Sequence, residues 1–275
     1  MSISTRSREH LRRAVRIGLL GCMVFGGHSV PAQAPHVREA LDVAVEDEAG
    51  PWSRKDGTGF ANDVVKAAFA AGGVDVHVVV MPYARCKQMV VSGDIAACWS
   101  MSPYPGRSDH VRFAPAPLFT MSSVLVESAD RPPTARGGVA TRRDMRVGAV
   151  LGYEYPDSMY AWARAAGVRF DFASSENINL RKLVAHRVDG VIININDLKT
   201  VDHVLTSAGV VGRVRATLPL GAMPAYIGFS LAHPRAEHAM RAYLRGLDLI
   251  SRNGELARIH AQWNRRLQNG KGEPH

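Results

Sequence analysis

The sequence predicts an α/β protein of two similar lobes, each built on a small sheet. Three observations carry that expectation. A β-α-β-α-β succession runs through residues 41–99 and a second through residues 145–195; such a unit is the elementary half of a doubly wound sheet. The stretch 180–192, LRKLVAHRVDGVI, echoes residues 83–99, since both run helix, short turn, aspartate (Asp189 and Asp94), apolar strand. The chain has 275 residues, enough for one large domain or two of ordinary size. Its 46% hydrophobic and 21% charged residues describe a globular protein.

Residues 41–45 alternate toward a first strand, and an acidic, Gly/Pro-broken loop over 46–59 carries Trp52. Residues 60–71 have helical spacing, with Phe60, Val64, Ala67, Ala68 and Ala71 on one side and Gly72-Gly73 as the stop. Residues 74–81 read as a second strand. The helix that opens at Pro82-Tyr83 turns Ala84, Met89 and Val90 to a core and leaves Arg85, Lys87 and Gln88 wet. Ser92-Gly93-Asp94 ends it. Residues 95–99, IAACW, are too short and too apolar for anything but a buried strand. That strand empties into Ser100, Met101, Ser102 and a Pro-rich turn closing on Arg107. Hydroxyls and a lone arginine just past the carboxyl end of a buried strand stand where open α/β sheets bind ligands.

Residues 121–127 form another strand, and 128–140, rich in Pro, Gly and Arg, cross between lobes. The second half runs strand 145–151, loop 152–156, a helix to Ala166 with Asp157 or Ser158 as N-cap, strand 168–173, helix 176–186 and the β-branched strand 189–195. Residues 197–208 read as helix, 210–218 and 225–231 as two strands with a return between lobes over 219–225. Pro234 opens a helix over 235–252, Asn253-Gly254 breaks it, and 255–267 form a last helix before a disordered tail, 268–275. The expected division is 36–128 for lobe 1, 129–222 for lobe 2, and 223–267 for the return to lobe 1.

Residues 1–32 read as a cleavable signal peptide, which implies a periplasmic location. Five arginines precede an apolar run, 17–27, too short to span a bilayer, and Val30-Pro31-Ala32 offers the cleavage site. Leu19-Leu20-Gly21-Cys22 has lipobox form, but only four residues part Arg16 from Gly21, so Cys22 is expected to carry no lipid. The formal charge of +9 includes +4 from the first 34 residues, five Arg against Glu9, and leaves +5 on the remainder. The remaining Lys and Arg are not interleaved with aromatics, which speaks against nucleic-acid binding. No His-Glu-x-x-His, tight Cys/His cluster, Gly-x-Gly-x-x-Gly or P-loop occurs, so neither a metal site nor a nucleotide cofactor is expected. Gly228-Phe229-Ser230-Leu231-Ala232 only grazes the nucleophile-elbow pattern. Export leaves Cys86 and Cys98 in an oxidising compartment, either bridged, as expected for the exported chain, or as two separately buried thiols.

The stretch 82–107 resembles the extracytoplasmic solute-binding proteins of family 3, the polar amino acid type of ABC transporter binding protein. Ser100-Met101-Ser102-Pro103-Tyr104-Pro105-Gly106-Arg107 is similar to the family's Ser-x-Ser-x-Thr-Pro-Glu-Arg loop, with tyrosine for threonine and glycine for glutamate. Gly59-Phe60 and Asp63 match a Gly-Phe-x-x-Asp helix start, and residues 253–263 match the closing Asp-Gly-Thr-Leu-x-x-Ile-x-x-x-Trp pattern. The resemblance implies a type II periplasmic-binding-protein-like fold, a ligand cleft between lobes, hinge closure, and an ABC permease or membrane receptor as partner of a monomer.

It also implies roles. Arg107 would hold a ligand carboxylate with its planar fork, and Ser100 and Ser102 would donate hydroxyls. Trp52 and Tyr83 are candidate aromatic walls, Tyr104, in the threonine's place, is a candidate ligand contact, and Trp99 adds a bulky ring. Gly152-Tyr153-Glu154 occupies the family's Gly-Thr-like turn. Asn194 stands where the family places an aspartate for the ligand's α-ammonium, so a carboxylate without a free amine fits better. The reading is a binding protein and not an enzyme. The alternatives are a cyclohexadienyl dehydratase-like enzyme on the same scaffold, with Glu154 as proton donor, and a sensory or orphan binding protein.

Overall fold

Alternation of apolar residues builds the first strand, β1 (Glu39–Glu46), whose Leu41, Val43 and Val45 are buried while Asp42 is exposed. The computed structural model describes residues 39–103, 109–133, 135–136, 139–140 and 144–269. The acidic loop after β1 contains a small antiparallel pair, β2 (Glu48–Ala49) and β3 (Ser53–Arg54). The α1 helix (Phe60–Ala71) follows, then β4 (Val74–Met81), α2 (Tyr83–Ser92), β5 (Ala97–Met101), β6 (Val111–Phe113) and β7 (Phe119–Ser128). Short β8 (Ala135–Arg136) and β9 (Val139–Ala140) pair with each other. The second half comprises β10 (Arg146–Val150), α3 (Asp157–Ala165), β11 (Arg169–Ala173), α4 (Glu176–Val184), β12 (Gly190–Ile195) and α5 (Val201–Ser207). The chain closes with β13 (Val214–Ser230), α6 (Ala236–Arg252) and α7 (Glu255–Gln268).

The sheet order is β11-β10-β12-β7-β13-β5-β1-β4, with β6 also paired to β13. Parallel pairs (β1 with β4 and β5, β10 with β11 and β12) occupy the two ends, and antiparallel β7 and β13 join them. Each half keeps the small sheet expected of it, and β13 passes from one to the other, pairing with β7 through Ala225 and with β5 from Tyr226. Residues 210–218 and 225–231 are not two strands with a return between them. They merge into β13, 17 residues long. Pro219 and Pro224 lack the N–H a ladder needs, and register shifts between Ala216 and Leu218 and between Pro219 and Gly221 accommodate the break in pairing.

Each half has its own core. In the first, α1, α6 and α7 pack over the sheet through Val65, Phe69, Ala239, Tyr243 and Trp263. Helices α1 and α6 approach so closely that a Cβ on Gly246 would lie 1.7 Å from the Ala68 carbonyl oxygen. Two residues of the matched motifs, 200 positions apart, meet here, as the Trp263 indole N–H donates to Asp63 Oδ2 at 2.8 Å. In the second half Val147, Ala149, Met159 and Ile192 pack on one face of the sheet, and Leu180, Val191, Ile193 and Val214 on the other.

Two helix starts differ from expectation. The N-cap of α3 is Pro156, not Asp157 or Ser158; the Ser158 hydroxyl donates instead to Leu220 O of β13 at 2.6 Å. Helix α5 starts at Val201 rather than 197 because Asn196 Oδ1 accepts from the amides of Leu198 and Lys199 and holds them in a turn. Gln268, expected in the tail, ends α7. Residues 1–32 and 270–275 lie outside the described part, as do Tyr104 and Arg107. Among the described residues no helix is long and apolar enough to cross a membrane.

Candidate functional site

The strands of both halves point their carboxyl ends at one place. From the first half come Glu46 at the end of β1, Trp52 beyond it, Tyr83 at the start of α2 and Ser100 on β5. From the second come Tyr153 and Glu154, after β10, and Asn194 on β12. With Met121 of β7 they enclose a cavity of ≈ 10 Å³, room for about one water molecule. Trp52, Tyr83, Ser100, Tyr153, Glu154 and Asn194, six residues singled out in the sequence, meet here.

Direct bonds close the two halves over the cavity. The Tyr83 hydroxyl donates to Glu154 Oε2 at 2.6 Å, and its ring meets Tyr153 edge-on at 5.2 Å. The Lys87 ammonium donates to Glu154 Oε1 and to the Gly152 carbonyl, and the Tyr153 hydroxyl donates to Glu46 Oε1. Lys87 was expected to stay wet; it is buried because the outward face of α2 is covered by the other half. Gly152 has φ +87°, and a Cβ there would lie 3.0 Å from that of Ala84. Only glycine lets the turn sit against α2.

A second ion pair lies behind Asn194. Glu176 accepts from the Asn194 backbone N–H and from the Lys199 ammonium, each at 2.7 Å. Lys199 Nζ stands 4.5 Å from the centre of the Trp52 ring, a cation–π contact. Trp52 is stacked on Phe119 at 4.5 Å and donates from its indole to Asn196 Oδ1 at 3.1 Å. Its wall position is therefore set from two sides.

Polar groups left over inside the site matter more. Asn194 Oδ1 accepts from the Ser123 hydroxyl at 2.7 Å, while Asn194 Nδ2 is buried with no hydrogen-bond partner among the described residues. Ser100 Oγ is in the same state, on a residue with φ +65°, a left-handed conformation that a serine adopts at a cost. Buried polar atoms are almost always paired, so two orphans on one cavity call for a reason. Glu46 adds a third feature. Burial pushes its carboxyl up to about 8, against lesser opposing effects from Tyr153 and Lys199, so it keeps its proton at neutral pH.

Other candidates fall elsewhere. Ser102 is spent on structure, donating to Pro224 O of β13 at 2.7 Å. Trp99 points away into the first core and donates to Asn62 Oδ1 at 2.9 Å. Cys86 and Cys98 form a disulfide with a Cα–Cα distance of 6.0 Å, tying α2 to β5 beneath Tyr83 and Ser100. Among the described residues no group of three His, Cys, Asp or Glu side chains is placed to hold a metal ion. Glu46, Lys87, Glu176 and Lys199 escaped the sequence reading. Glu46 had one visible signal, its place at the carboxyl end of a buried strand.

This architecture is that of a two-lobed binding protein, and the chain belongs to the bacterial extracellular solute-binding proteins, family 3, whose model matches residues 41–266. Solved structures agree in fold. An ancestral arginine-binding protein bound to arginine superposes with a TM-score of 0.65 at 20% identity, over 83% of this chain and 99% of its own. An ancestral amino acid-binding protein, a precursor of cyclohexadienyl dehydratase, gives 0.63 at 18%, covering 82% and 96%. A histidine kinase sensor domain with similarity to periplasmic binding proteins gives 0.67 at 17%, over 82% and 96%. No curated protein matches the chain in sequence.

Proposed function

We propose that this protein captures a small carboxylate-bearing solute in the periplasm, by closure of its two lobes, for delivery to an ABC-type permease. The observation that supports this most is the pair of buried atoms without a hydrogen-bond partner among the described residues, Ser100 Oγ and Asn194 Nδ2, on two residues that line the cavity between the halves. The amide is a donor and the hydroxyl can donate, so their complement is an acceptor oxygen. Charge favours the same ligand. Three glutamates stand at or beside the cavity, but Glu154 is paired with Lys87, Glu176 with Lys199, and Glu46 is protonated at neutral pH. That leaves no uncompensated carboxylate among them to hold an ammonium group. Arg107, six positions after the end of β5 in the sequence, would supply the countercharge for the acid.

A cavity of ≈ 10 Å³ admits no solute of several heavy atoms. Entry then needs the halves to part about the β7–β13 connection, breaking the Tyr83–Glu154, Lys87–Glu154 and Tyr153–Glu46 contacts. The ligand restores closure by replacing them, through its differential affinity for the closed state.

Calorimetry with a matched pair, L-glutamate and glutarate, after a thermal-shift screen of small acids, tests the reading. The acid without the amine should bind at least as well as its amino partner. Arg107→Ala should weaken it by at least about tenfold, and Asn194→Asp should turn preference toward the amine. A wide wild-type preference for the amine, or normal binding by Arg107→Ala, overturns the proposal.

Glu46 favours a second reading, an enzyme on this scaffold, because a carboxyl that holds its proton to about pH 8 is an acid available inside the cavity. Incubation with prephenate- or arogenate-like acids separates the two, since a binding protein returns its ligand unchanged.

A further inference from the structure

Tyr153 and Glu154 wall a second and larger hollow, of ≈ 210 Å³, that also takes in Lys87. It lies over the carboxyl ends of β10 and β11, at the outer edge of the sheet. Five aromatic side chains line it, Tyr153, Tyr155, Tyr160, Phe170 and Phe172. Their rings stand at angles to one another: Tyr153 and Tyr155 at 6.2 Å and 50°, Tyr155 and Tyr160 at 6.4 Å and 78°, Phe170 and Phe172 at 5.9 Å and 34°. An inserted ring would therefore meet both faces and edges, the arrangement aromatic pairs prefer. Two apolar rim residues remain in water, Leu151 at 54% and Phe172 at 53% exposure. Exposed apolar groups around a concave, mostly aromatic pocket mark a ligand site.

We propose that this hollow is a second ligand site, for an uncharged single-ring aromatic molecule of the phenol type, whose hydroxyl accepts from Lys87. Volume sets the ring count, because a cavity of about 150 Å³ holds benzene and one of ≈ 210 Å³ holds a ring with a substituent. Charge sets the class. Lys87 and Glu154 form a buried pair, 8% and 4% exposed, that is already neutral. An added anion would face Glu154 and an added cation Lys87, each leaving a charge uncompensated in a low-dielectric site. Hydrogen bonding supplies the polar contact, since an ammonium has three donors; Lys87 uses two, on Glu154 Oε1 and the Gly152 carbonyl, and a ligand oxygen would take the third in competition with the Tyr83 ring, whose centre is 5.4 Å from Nζ. Lys87 comes from α2 and the rings from the other half, so the site is complete only where the halves meet. It shares Tyr153 and Glu154 with the smaller cavity and needs the halves closed, so the site is one of the closed, unliganded protein.

Amide chemical-shift mapping of the full chain with phenol, benzoate and benzylammonium tests the site. Phenol should give saturable shifts at Leu151 and Phe172 and bind at least tenfold tighter than either ion. Phe172→Ser removes a half-exposed ring and should weaken phenol by about two- to tenfold, the worth of one aromatic contact. Leu151→Ser, at the rim, should weaken it less. The proposal is overturned if millimolar phenol gives no saturable shift, or if the shifts centre on Ser100 and Met121. It is equally overturned if either ion binds as tightly as phenol, or if Phe172→Ser binds it like the wild type.

Discussion

Replacing Lys87 by methionine tests whether the two halves part. Methionine keeps most of the stem and removes the ammonium, leaving Glu154, 4% exposed, with the Tyr83 hydroxyl at 2.6 Å. Removing one partner of a buried ion pair costs about 3–5 kcal/mol while the other charge stays buried. A rigid body must bear that in full. At about 2–4 °C per kcal/mol for a chain of this size, its melting temperature would fall by roughly 6–20 °C. Halves that can separate have another course, because opening lets water reach Glu154 and caps the loss at the free energy of opening. The expected outcome is a melting temperature lowered by about 5 °C or less, with a larger radius of gyration in small-angle scattering. A Lys87→Met, Glu154→Leu double variant, with no stranded charge, should return to the wild-type radius. A full-sized thermal loss at unchanged radius would refute the reasoning.

Further outcomes follow from single sites. Glu46 has a folded pKa of about 8 against an ordinary 4.5, so the folded state binds the extra proton between those values. Stability should therefore fall as pH rises from 4.5 toward 8, by up to several kcal/mol; Glu46→Gln should flatten that slope in urea titrations, and an unchanged slope would exclude Glu46 as its source. The Cys86–Cys98 bridge closes a loop with a sequence separation of 12, worth about 3 kcal/mol in unfolded-chain entropy. Replacing both cysteines by serine should lower stability by that order, and equal denaturation midpoints would count against it. Gly152→Ala sets a Cβ at φ +87° against Ala84 and should lower the melting temperature by several degrees; an unchanged value would show that the turn gives way.

Local signals were legible where one face of one element decides the structure. Helix α1 begins at Phe60 and ends at Ala71, where its apolar spacing and the Gly72-Gly73 stop place it. The strand leading to Ser100 was equally clear. What escaped depends on residues far apart in the chain. A period count on α2 assigns Lys87 to solvent because it cannot see the turn 65 residues later that covers it. Glu46 reads as the first acid of a polar loop, and residues far along the chain, such as Tyr153, 107 positions on, help to bury it. Pro219 and Pro224 are strand breakers by default, and nothing nearby announces the register shifts that let β13 run through them. Asn194 was legible as a departure, but not in its sense. Ser123 takes its carbonyl and so leaves it a donor.

Strand β13 also decides when this chain can fold. It lies inside the sheet between β7 and β5, yet it is made after both. Until then β5 has one neighbour, paired at Ala44 and Cys98 alone, and β7 offers an open edge along Phe119–Ser128. The first core is unfinished too, lacking Ala239 and Tyr243 of α6 and Trp263 of α7. A chain stopped anywhere short of Val214 is therefore a half-roofed structure with two strand edges exposed, the kind of species that pairs wrongly or aggregates. Completion waits on contacts between the two ends of the sequence, which are slow to form. The last-made strand is the keystone of the sheet.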